Sequence, residues 1–284
     1  MFMDKEIIVV KKDGTEEVFN SNKLRESLER SGAKKQTVDH IVEHINKEIY
    51  NGATTDFIYR HAFELLSKEE AAGPARFRYS LRRAVSELGP SGFPFEKYVA
   101  EVYAAHGYST ATGIKIKGKC VTHEVDVVAE TEDEIITAEL KFHNKLSIKT
   151  DLKVALYVNS RFQDITDTGY YGEKKARPYL ITNTKFSSNV IKYAECEGTL
   201  ELMGWDYPRR GNPNLHDFIQ KSKIHPVTAL TSFSKKDHQV LIDAGFITCR
   251  DIKRNGGEDI HQLGLIKGYK IEEAFEEIEN ICLQ

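Results

Sequence analysis

Two runs of the chain decide the fold, HEVDVV at residues 123–128 and IITAELKF at residues 135–142. In an extended strand, alternate side chains point to opposite faces of the sheet. This alternation separates Asp126 from Val125 and Val127 in the first run, and Glu139 and Lys141 from Ala138, Leu140 and Phe142 in the second. Two adjacent strands of this kind would gather two acids and one ammonium on an exposed surface, as divalent-metal binding and water activation require. A half-buried hairpin with solvated charges gives the same pattern, so these two runs alone leave both interpretations open.

The composition predicts a soluble, globular protein. The chain has 284 residues, of which 29% are charged and 40% hydrophobic, and its formal net charge is −3. This length predicts two or three domains. Because the net charge is slightly negative, a nucleic-acid partner requires a local basic surface. No apolar run approaches the ~20 residues of a membrane span, and residues 1–6 lack a signal-peptide pattern, so we expect a cytoplasmic protein.

The cysteines and histidines give no metalloenzyme signature. The four cysteines are far apart and form no CxxC pair, and the ten histidines are dispersed without an HExxH motif. The cysteines are therefore expected to be reduced thiols rather than zinc ligands or disulfides. A zinc enzyme is not expected.

The N-terminal part predicts a hairpin followed by helices. Asp13-Gly14 lies between two short apolar runs, which is a strong hairpin signal. Asn20 or Ser21 is a suitable N-cap for the helix that follows. Further helices are expected from about residue 41, from the Gly52–Asp56 segment, and over residues 76–85.

This part of the chain closely resembles the ATP-cone, a nucleotide-sensing domain of ribonucleotide reductases and their transcriptional repressor. The resemblance rests on VVKKDG at residues 9–14, then Glu17, FN at 19–20, KL at 23–24, TT at 54–55 and ARFRY at 75–79. It implies phosphate contacts from Lys11, Lys12 and Lys23, base or sugar contacts from Glu17 and Asn20, and a pocket lined by Thr54 and Thr55. Lysines beside a turn and a helix N-terminus suit a triphosphate. There is no P-loop pattern, so ATP or dATP is expected as an effector rather than a fuel.

The middle part begins after a breaker-rich linker at residues 89–94. A helix is expected over residues 95–106, with Glu96 at the edge of its apolar stripe, where it could reach the sheet. The two strands quoted first follow. A strand or helix near residues 153–158, a buried strand at 179–183, a helix at 187–197 and a strand at 199–205 complete an α/β sandwich.

The middle part also resembles the Mrr-like restriction endonucleases of the PD-(D/E)xK superfamily. The matching segments are FE at 95–96, GY at 107–108, HEVD at 123–126, ELK at 139–141 and ITNTKFS at 181–187, although Val125 replaces the proline of the superfamily name. The resemblance implies Mg²⁺ or Mn²⁺ held by Asp126 and Glu139, with the Leu140 carbonyl as a further ligand. It also implies that Lys141 orients or activates water, while Glu96 completes the site. Glu124 is expected to lie just outside the site, and His123 is expected to point away from it.

Seven basic residues follow the site along the chain, and their role has two interpretations. They either line a groove that makes salt-sensitive phosphate contacts or form a solvated surface. The set consists of Lys145, Lys149, Lys153, Arg161, Lys174, Lys175 and Arg177.

The tail follows a second linker at residues 207–214 and predicts short helices. Segments 241–246 and 263–269 resemble the glycine turns of helix-hairpin-helix domains, which bind DNA phosphates through backbone amides. A small helical packing or dimerisation module remains an equal alternative.

The predicted fold class is α/β (α+β), with an ATP-cone at residues 1–90, a nuclease domain at 91–210 and a helical module at 211–284. The predicted function is a metal-dependent endonuclease of double-stranded DNA, regulated by adenine nucleotide, acting as a homo-oligomer and suited to restriction or anti-phage defence. The alternative is a nucleotide-responsive DNA-binding regulator with an inactive nuclease fold.

Overall fold

The computed structural model describes residues 6–11, 14–70, 75–254, 258–262, 264 and 266–282. The chain divides into two compact units, one formed by Met1–Leu81 with Glu276–Gln284 and the other by Arg82–Phe275. The predicted three-domain division, with limits at residues 90 and 210, stays a prediction.

The first unit combines a small sheet with helices. Strands β1 (Ile8–Val10) and β2 (Glu16–Val18) form the predicted antiparallel hairpin, and β3 (Ala53–Thr54) pairs in parallel with β1. The helices are α1 (Ser21–Arg30), α2 (Lys35–Glu48), α3 (Thr55–Glu69) and the start of α4 (Ala75–Ser86). Asn20 caps α1 by accepting a hydrogen bond from the Asn22 amide at 2.9 Å, as expected of an N-cap asparagine. Buried aliphatic side chains of α1, α2 and α3 form the core.

The second unit is built on a five-stranded mixed sheet. Its strands are β4 (Ser109–Lys117), β5 (Thr122–Glu130), β6 (Glu134–Lys141), β8 (Lys175–Thr182) and β10 (Glu201–Met203), in the order β10-β8-β6-β5-β4. The pairs β4–β5 and β5–β6 are antiparallel, whereas β6–β8 and β8–β10 are parallel. A separate two-stranded sheet consists of β7 (Lys149–Thr150) and β9 (Lys185–Phe186).

Three helices accompany this sheet: α5 (Phe93–Ala105), α6 (Leu152–Thr166) and α7 (Ser188–Glu197). The segment near residues 153–158, which the sequence left open between strand and helix, is helical. Gly107 follows α5 with φ +92°, a backbone conformation that glycine adopts at little cost.

The tail is helical, as predicted. It contains α8 (Leu215–Ser222), a 3-10 turn (Val227–Ala229), α9 (Lys235–Asp243), α10 (Cys249–Arg254), α11 (Glu258–Gln262) and α12 (Gly268–Cys282). The Tyr98 hydroxyl on α5 donates a hydrogen bond to the Ile224 carbonyl at 2.8 Å, and the Thr228 hydroxyl donates to the Ala84 carbonyl at 2.6 Å. These buried hydrogen bonds attach the tail to α5 and α4. The predicted mixed fold class with a helical C-terminal part is therefore confirmed.

Candidate active site and nucleotide pocket

The two strands quoted at the outset bring Asp126, Glu139 and Lys141 together. Val127 on β5 faces Ala138 on β6, and just beyond this pair the Leu140 amide donates a hydrogen bond to Asp126 Oδ2 at 2.7 Å. The Lys141 Nζ forms an ion pair with Glu139 Oε1 at 2.5 Å. The structure shows Leu140 donating its amide to Asp126, while the predicted use of the Leu140 carbonyl as a metal ligand stays a prediction.

Strand alternation predicted that Glu139 lies on an exposed surface. This prediction is wrong, because Glu139 is only 5% exposed. Arg161 on α6, itself 3% exposed, forms an ion pair with Glu139 Oε2 at 2.8 Å. A charge is excluded from a protein interior unless it is paired and hydrogen-bonded. Burial of Glu139 therefore depends on the guanidinium of Arg161.

Arg161 is the principal residue whose role the sequence analysis missed. Its guanidinium also donates hydrogen bonds to the Glu124 carbonyl at 2.7 Å and to the Tyr157 hydroxyl at 3.3 Å. A signal for this role existed, because Val158 and Ile165 lie three residues before and four residues after Arg161 and are both buried. A cation inside the apolar stripe of a helix indicates a buried acidic partner.

Glu96 from α5 completes an acid cluster, which we define as Glu96, Glu124, Asp126 and Glu139. Burial, followed by repulsion from Asp126, Glu139 and Glu124, raises the pKa of Glu96 to about 7. Burial and repulsion from Glu139 raise the pKa of Asp126 to about 6, despite the opposing hydrogen bond from Leu140. Mutual repulsion thus adds to the effect of burial in this cluster, and a bound divalent cation would reduce that repulsion.

Lys141 remains a cation in this environment. Burial lowers the pKa of its ammonium group, but the hydrogen bond to Glu139 and the attraction of Glu139 and Asp126 raise it, and the net pKa lies above its usual value. The ammonium group thus acts here as a charge and a hydrogen-bond donor.

The metal-free protein is expected to gain stability when Asp126 is replaced by Asn. A carboxyl with a raised folded-state pKa penalises folding above that pKa, and the penalty disappears below the unfolded-state pKa. Asp126→Asn should therefore raise the melting temperature at pH 8 by on the order of 5 °C, with the difference shrinking from pH 7 towards pH 4. Thermal unfolding in chelator measures this effect. Glu132→Gln, in the exposed turn between β5 and β6, should change little, and a lower melting temperature for Asp126→Asn at pH 8 would contradict the expectation.

The Thr182-Asn183-Thr184 segment holds the end of β6 in place. Asn183, 1% exposed, accepts a hydrogen bond from the His143 amide at 2.8 Å and donates one to the His143 carbonyl at 3.0 Å. The Thr182 hydroxyl donates to the Lys141 carbonyl at 2.7 Å. These bonds fix the backbone that carries Lys141, giving a physical role to the motif used for the restriction-endonuclease resemblance.

His123 forms its side-chain contact with α6. Its Nε2 lies 2.8 Å from Asp164 Oδ2, and Asp164 also accepts hydrogen bonds from the Cys120 and Val121 amides. The hydrogen bond with His123, ahead of those from the loop, holds the pKa of Asp164 down at about 2. His123 thus ties the β4–β5 turn to α6.

Of the seven basic residues after the site, three are held in ion pairs, and one of these is Lys174, whose Nζ lies 2.9 Å from Glu130 Oε2. Arg161 is buried, and Arg177 pairs with Glu201 at 2.5 Å and with Glu134 at 3.4 Å. Lys145, Lys149, Lys153 and Lys175 are exposed. The choice between a groove and a solvated surface therefore applies to the exposed lysines.

A pocket of about 280 Å³ lies in the first unit and is lined by four of the predicted nucleotide contacts, Glu17, Asn20, Lys23 and Thr55. We call it the N-terminal pocket; the remaining lining residues are Val9, Phe19, Leu24, Ser27, Ile58, Tyr59 and Tyr79. It combines a charged rim with an apolar and aromatic floor. This combination suits a nucleotide, whose phosphates are anionic and whose base is flat and apolar on its faces.

Glu17 occupies the charged rim by pairing with two lysines. Its Oε2 lies 2.9 Å from Lys11 Nζ and 3.1 Å from Lys23 Nζ. The hydrogen bond from Lys11 is the largest influence that lowers the pKa of Glu17. Thr54 caps α3 by accepting a hydrogen bond from the Phe57 amide at 3.1 Å, whereas Lys12 lies outside the described residues.

Tyr59 and Tyr79 are pocket residues to which the sequence analysis assigned no role. Their rings stack with centroids 5.3 Å apart and planes 5° from parallel. Tyr79 is part of the ARFRY segment used for the ATP-cone resemblance. Its contact with Tyr59 arises between α4 and α3 and has no local signature in the sequence.

Comparisons with known proteins support the N-terminal assignment. Residues 7–87 match the family model of the ATP cone domain, and residues 225–282 match that of the AF1548-like C-terminal domain. The crystal structure of AF1548, a protein of unknown function, is 33% identical, with a TM-score of 0.54 over 68% of this chain and 98% of that chain. An uncharacterised protein of Archaeoglobus fulgidus is 36% identical over 167 residues, covering 59% of this chain and 90% of the relative.

The chain belongs to the AF1548-like family.

A more distant similarity involves a repair endonuclease from Pyrococcus abyssi. That structure is 19% identical over 40% of this AF1548-like chain and 46% of its own, with a TM-score of 0.30. Similarity at this level carries no argument about the site. Among the described residues of this AF1548-like protein, no helix has both the length and the apolar character needed to cross a membrane.

Proposed function

We propose that this AF1548-like protein is an adenine-nucleotide-regulated, divalent-metal-dependent endonuclease of double-stranded DNA. The observation that carries the proposal is the acid cluster beside Lys141, in which the pKa of Asp126 is raised to about 6 and that of Glu96 to about 7. Such perturbed groups are concentrated at functional sites. The sequence resemblance to Mrr-like nucleases supports the same reaction class and suggests a role in restriction or anti-phage defence.

The donor set fits Mg²⁺ or Mn²⁺. Asp126 and Glu139 would hold the ion, with the Leu140 carbonyl and Glu96 as further donors, because hard cations prefer oxygen ligands. When bound, the ion supplies Lewis acidity and lowers the pKa of water. The concentration of four carboxyl groups around Lys141 and Arg161 is the structural reason to expect this fit.

The protein's own residues would orient the acids and place a positive charge beside them. Arg161 holds Glu139 by one carboxylate oxygen, and the Leu140 amide holds Asp126, so both acids have fixed orientations. Lys141 places a positive charge beside them, where it would orient the attacking water and stabilise the developing charge on the phosphate. Asn183 and Thr182 keep the Lys141 backbone in position.

Cleavage of defined nucleic acids tests this proposal. Supercoiled plasmid, linear duplex, single-stranded DNA and RNA should be incubated with the purified protein and Mg²⁺ or Mn²⁺, with and without ATP or dATP. We expect cleavage of duplex DNA that requires metal and changes with nucleotide. Absence of cleavage in every metal and nucleotide condition would overturn the enzymatic assignment.

One observation favours a second function, a nucleotide-responsive DNA-binding regulator. Both oxygens of Glu139 are already engaged by cations, Oε1 by Lys141 and Oε2 by Arg161. A carboxylate neutralised in this way has less affinity for a metal. Nucleotide-dependent DNA binding in gel shifts, without cleavage, would identify the regulator.

The nucleotide proposal predicts a specific loss at Lys23. We expect Lys23→Gln to weaken ATP and dATP binding about tenfold, because it removes one charge-assisted phosphate contact. Isothermal calorimetry measures the affinity, and phosphate release should stay at background. Lys47→Gln is the matched control, since Lys47 lies on α2, is 71% exposed and pairs with Glu43. Equal affinities of the Lys23 variant and the wild type would contradict the assignment.

A further inference from the structure

We propose that His44, Glu48 and His61 form a binding site for a transition-metal ion, with Zn²⁺ the best fit. His44 and Glu48 are one turn apart on α2, and His61 lies on α3. His44 Nε2 is 3.2 Å from His61 Nε2, while Glu48 carboxylate oxygens are 3.5 Å from His44 Nε2 and 3.7 Å from His61 Nε2. Ligand atoms of three residues on two helices therefore lie within 4.8 Å of one another.

The spacing of these atoms agrees with a tetrahedral zinc site. Imidazole nitrogens and carboxylate oxygens bind zinc at about 2.0–2.1 Å. Two donors of a regular tetrahedron with that radius are about 3.3–3.4 Å apart. The imidazole nitrogens are 3.2 Å apart, close to this value, and the Glu48 oxygens lie 3.5 Å and 3.7 Å from them, so a rotation of the Glu48 carboxylate would bring one oxygen to both.

The type of ligand selects the class of metal. Two imidazoles with one carboxylate suit Zn²⁺ and its neighbours in the first transition row, whereas Mg²⁺ and Ca²⁺ prefer oxygen donors alone. The donor set is thus chemically distinct from the all-oxygen acid cluster. Without a metal, the two facing Nε2 atoms can share only one hydrogen bond, and Glu48 forms an ion pair with an imidazole only when that imidazole is protonated.

The surroundings leave room for a fourth ligand. Side-chain exposure is 33% for His44, 21% for His61 and 51% for Glu48, so water can complete the coordination. The Phe57 ring packs edge-on against His61 at a centroid distance of 5.6 Å and limits the positions of that imidazole. His40 lies one turn before His44, but its Nδ1 is 2.6 Å from Glu69 Oε1.

The site would link α2 to the helix that lines the N-terminal pocket. His61 lies on α3, which also contributes Thr55, Ile58 and Tyr59 to that pocket. A metal ion bound by both helices stabilises the folded state by mass action, since it does not find these ligands together in the unfolded chain. The ion is therefore expected to raise the unfolding temperature of the first unit.

Metal titration of the full-length protein tests the proposal. The Asp126→Asn variant serves as background, because the acid cluster offers carboxylates of its own. After chelator treatment, Zn²⁺ should bind at one ion per chain with a dissociation constant below about 1 μM, or about −8 kcal/mol. Co²⁺ should give the intense visible absorption of a tetrahedral ion.

Variants of single ligands decide between this site and other metal binding. His61→Gln and His44→Gln should each weaken Zn²⁺ binding at least 100-fold and abolish the Co²⁺ spectrum, while circular dichroism verifies folding. His40→Gln, the neighbouring histidine, should retain binding. Unchanged stoichiometry and affinity in both ligand variants, or binding only above about 100 μM in the background protein, would overturn the proposal.

Discussion

Replacing Asp126 by Asn is expected to reduce metal-dependent DNA cleavage by on the order of 1000-fold, because the substitution removes a charge that would hold the cation at the scissile phosphate. The Asn side chain can still accept the hydrogen bond that the Leu140 amide donates to Asp126 at 2.7 Å. The variant should therefore remain folded and keep its affinity for ATP. Single-turnover cleavage of a labelled duplex in Mg²⁺ measures the effect.

Glu132→Gln is the matched control for this prediction, because it makes the same kind of change in the exposed β5–β6 turn. Its cleavage rate should equal that of the wild type. If the Asp126 variant has a higher melting temperature than the wild type in chelator, its loss of activity cannot be attributed to unfolding. A wild-type cleavage rate in the Asp126 variant would show that Asp126 takes no part in the cleavage reaction.

The second large effect is expected from Arg161→Met, which should destabilise the protein by roughly 3–5 kcal/mol. The variant leaves Glu139, 5% exposed, without its buried cation, and it also removes the hydrogen bond to the Glu124 carbonyl. Lys141, which is partly exposed, would still pair with Glu139 Oε1, but Oε2 would lose its cation, and removal of one partner from a buried ion pair is strongly destabilising. Urea unfolding of the second unit, followed by circular dichroism, measures the change.

Two further variants isolate the ion pair as the cause. Arg210→Met makes the same side-chain change at an exposed position and should lie within about 0.5 kcal/mol of the wild type. The double variant Arg161→Met/Glu139→Gln should recover part of the lost stability, since it also removes the Glu139 charge that Arg161 neutralises. A loss below about 1 kcal/mol in the single variant would show that water or another cation compensates Glu139.

Strand alternation predicted that Asp126, Glu139 and Lys141 lie close together, because side-chain direction within a strand is a local property. The burial of Glu139 could not be predicted in the same way. It depends on α6, whose Arg161 lies 22 residues further along the chain. The strand β4 was also missed: Gly113 interrupts its alternating pattern, and a glycine within a strand weakens the signal.

The N-terminal pocket, too, could be predicted only in part from the sequence. Its charged rim follows from lysines beside a tight turn and from a capped helix, both of which are visible locally. Its aromatic floor requires Tyr59 and Tyr79 to stack across two helices, and that contact exists only after packing. The ATP-cone assignment is confirmed by the match over residues 7–87, while the individual nucleotide contacts stay predictions.

Glu17 holds both Lys11 and Lys23 in the structure, with distances of 2.9 and 3.1 Å. An incoming ligand must therefore compete with an internal carboxylate for the same two ammonium groups. If Lys11 and Lys23 bind phosphates as we propose, a neutral nucleoside would not compete for them, whereas the negative charges of a triphosphate would favour displacement of Glu17. Under that proposal, Glu17 would make the affinity of the pocket depend on the number of phosphates that the nucleotide carries.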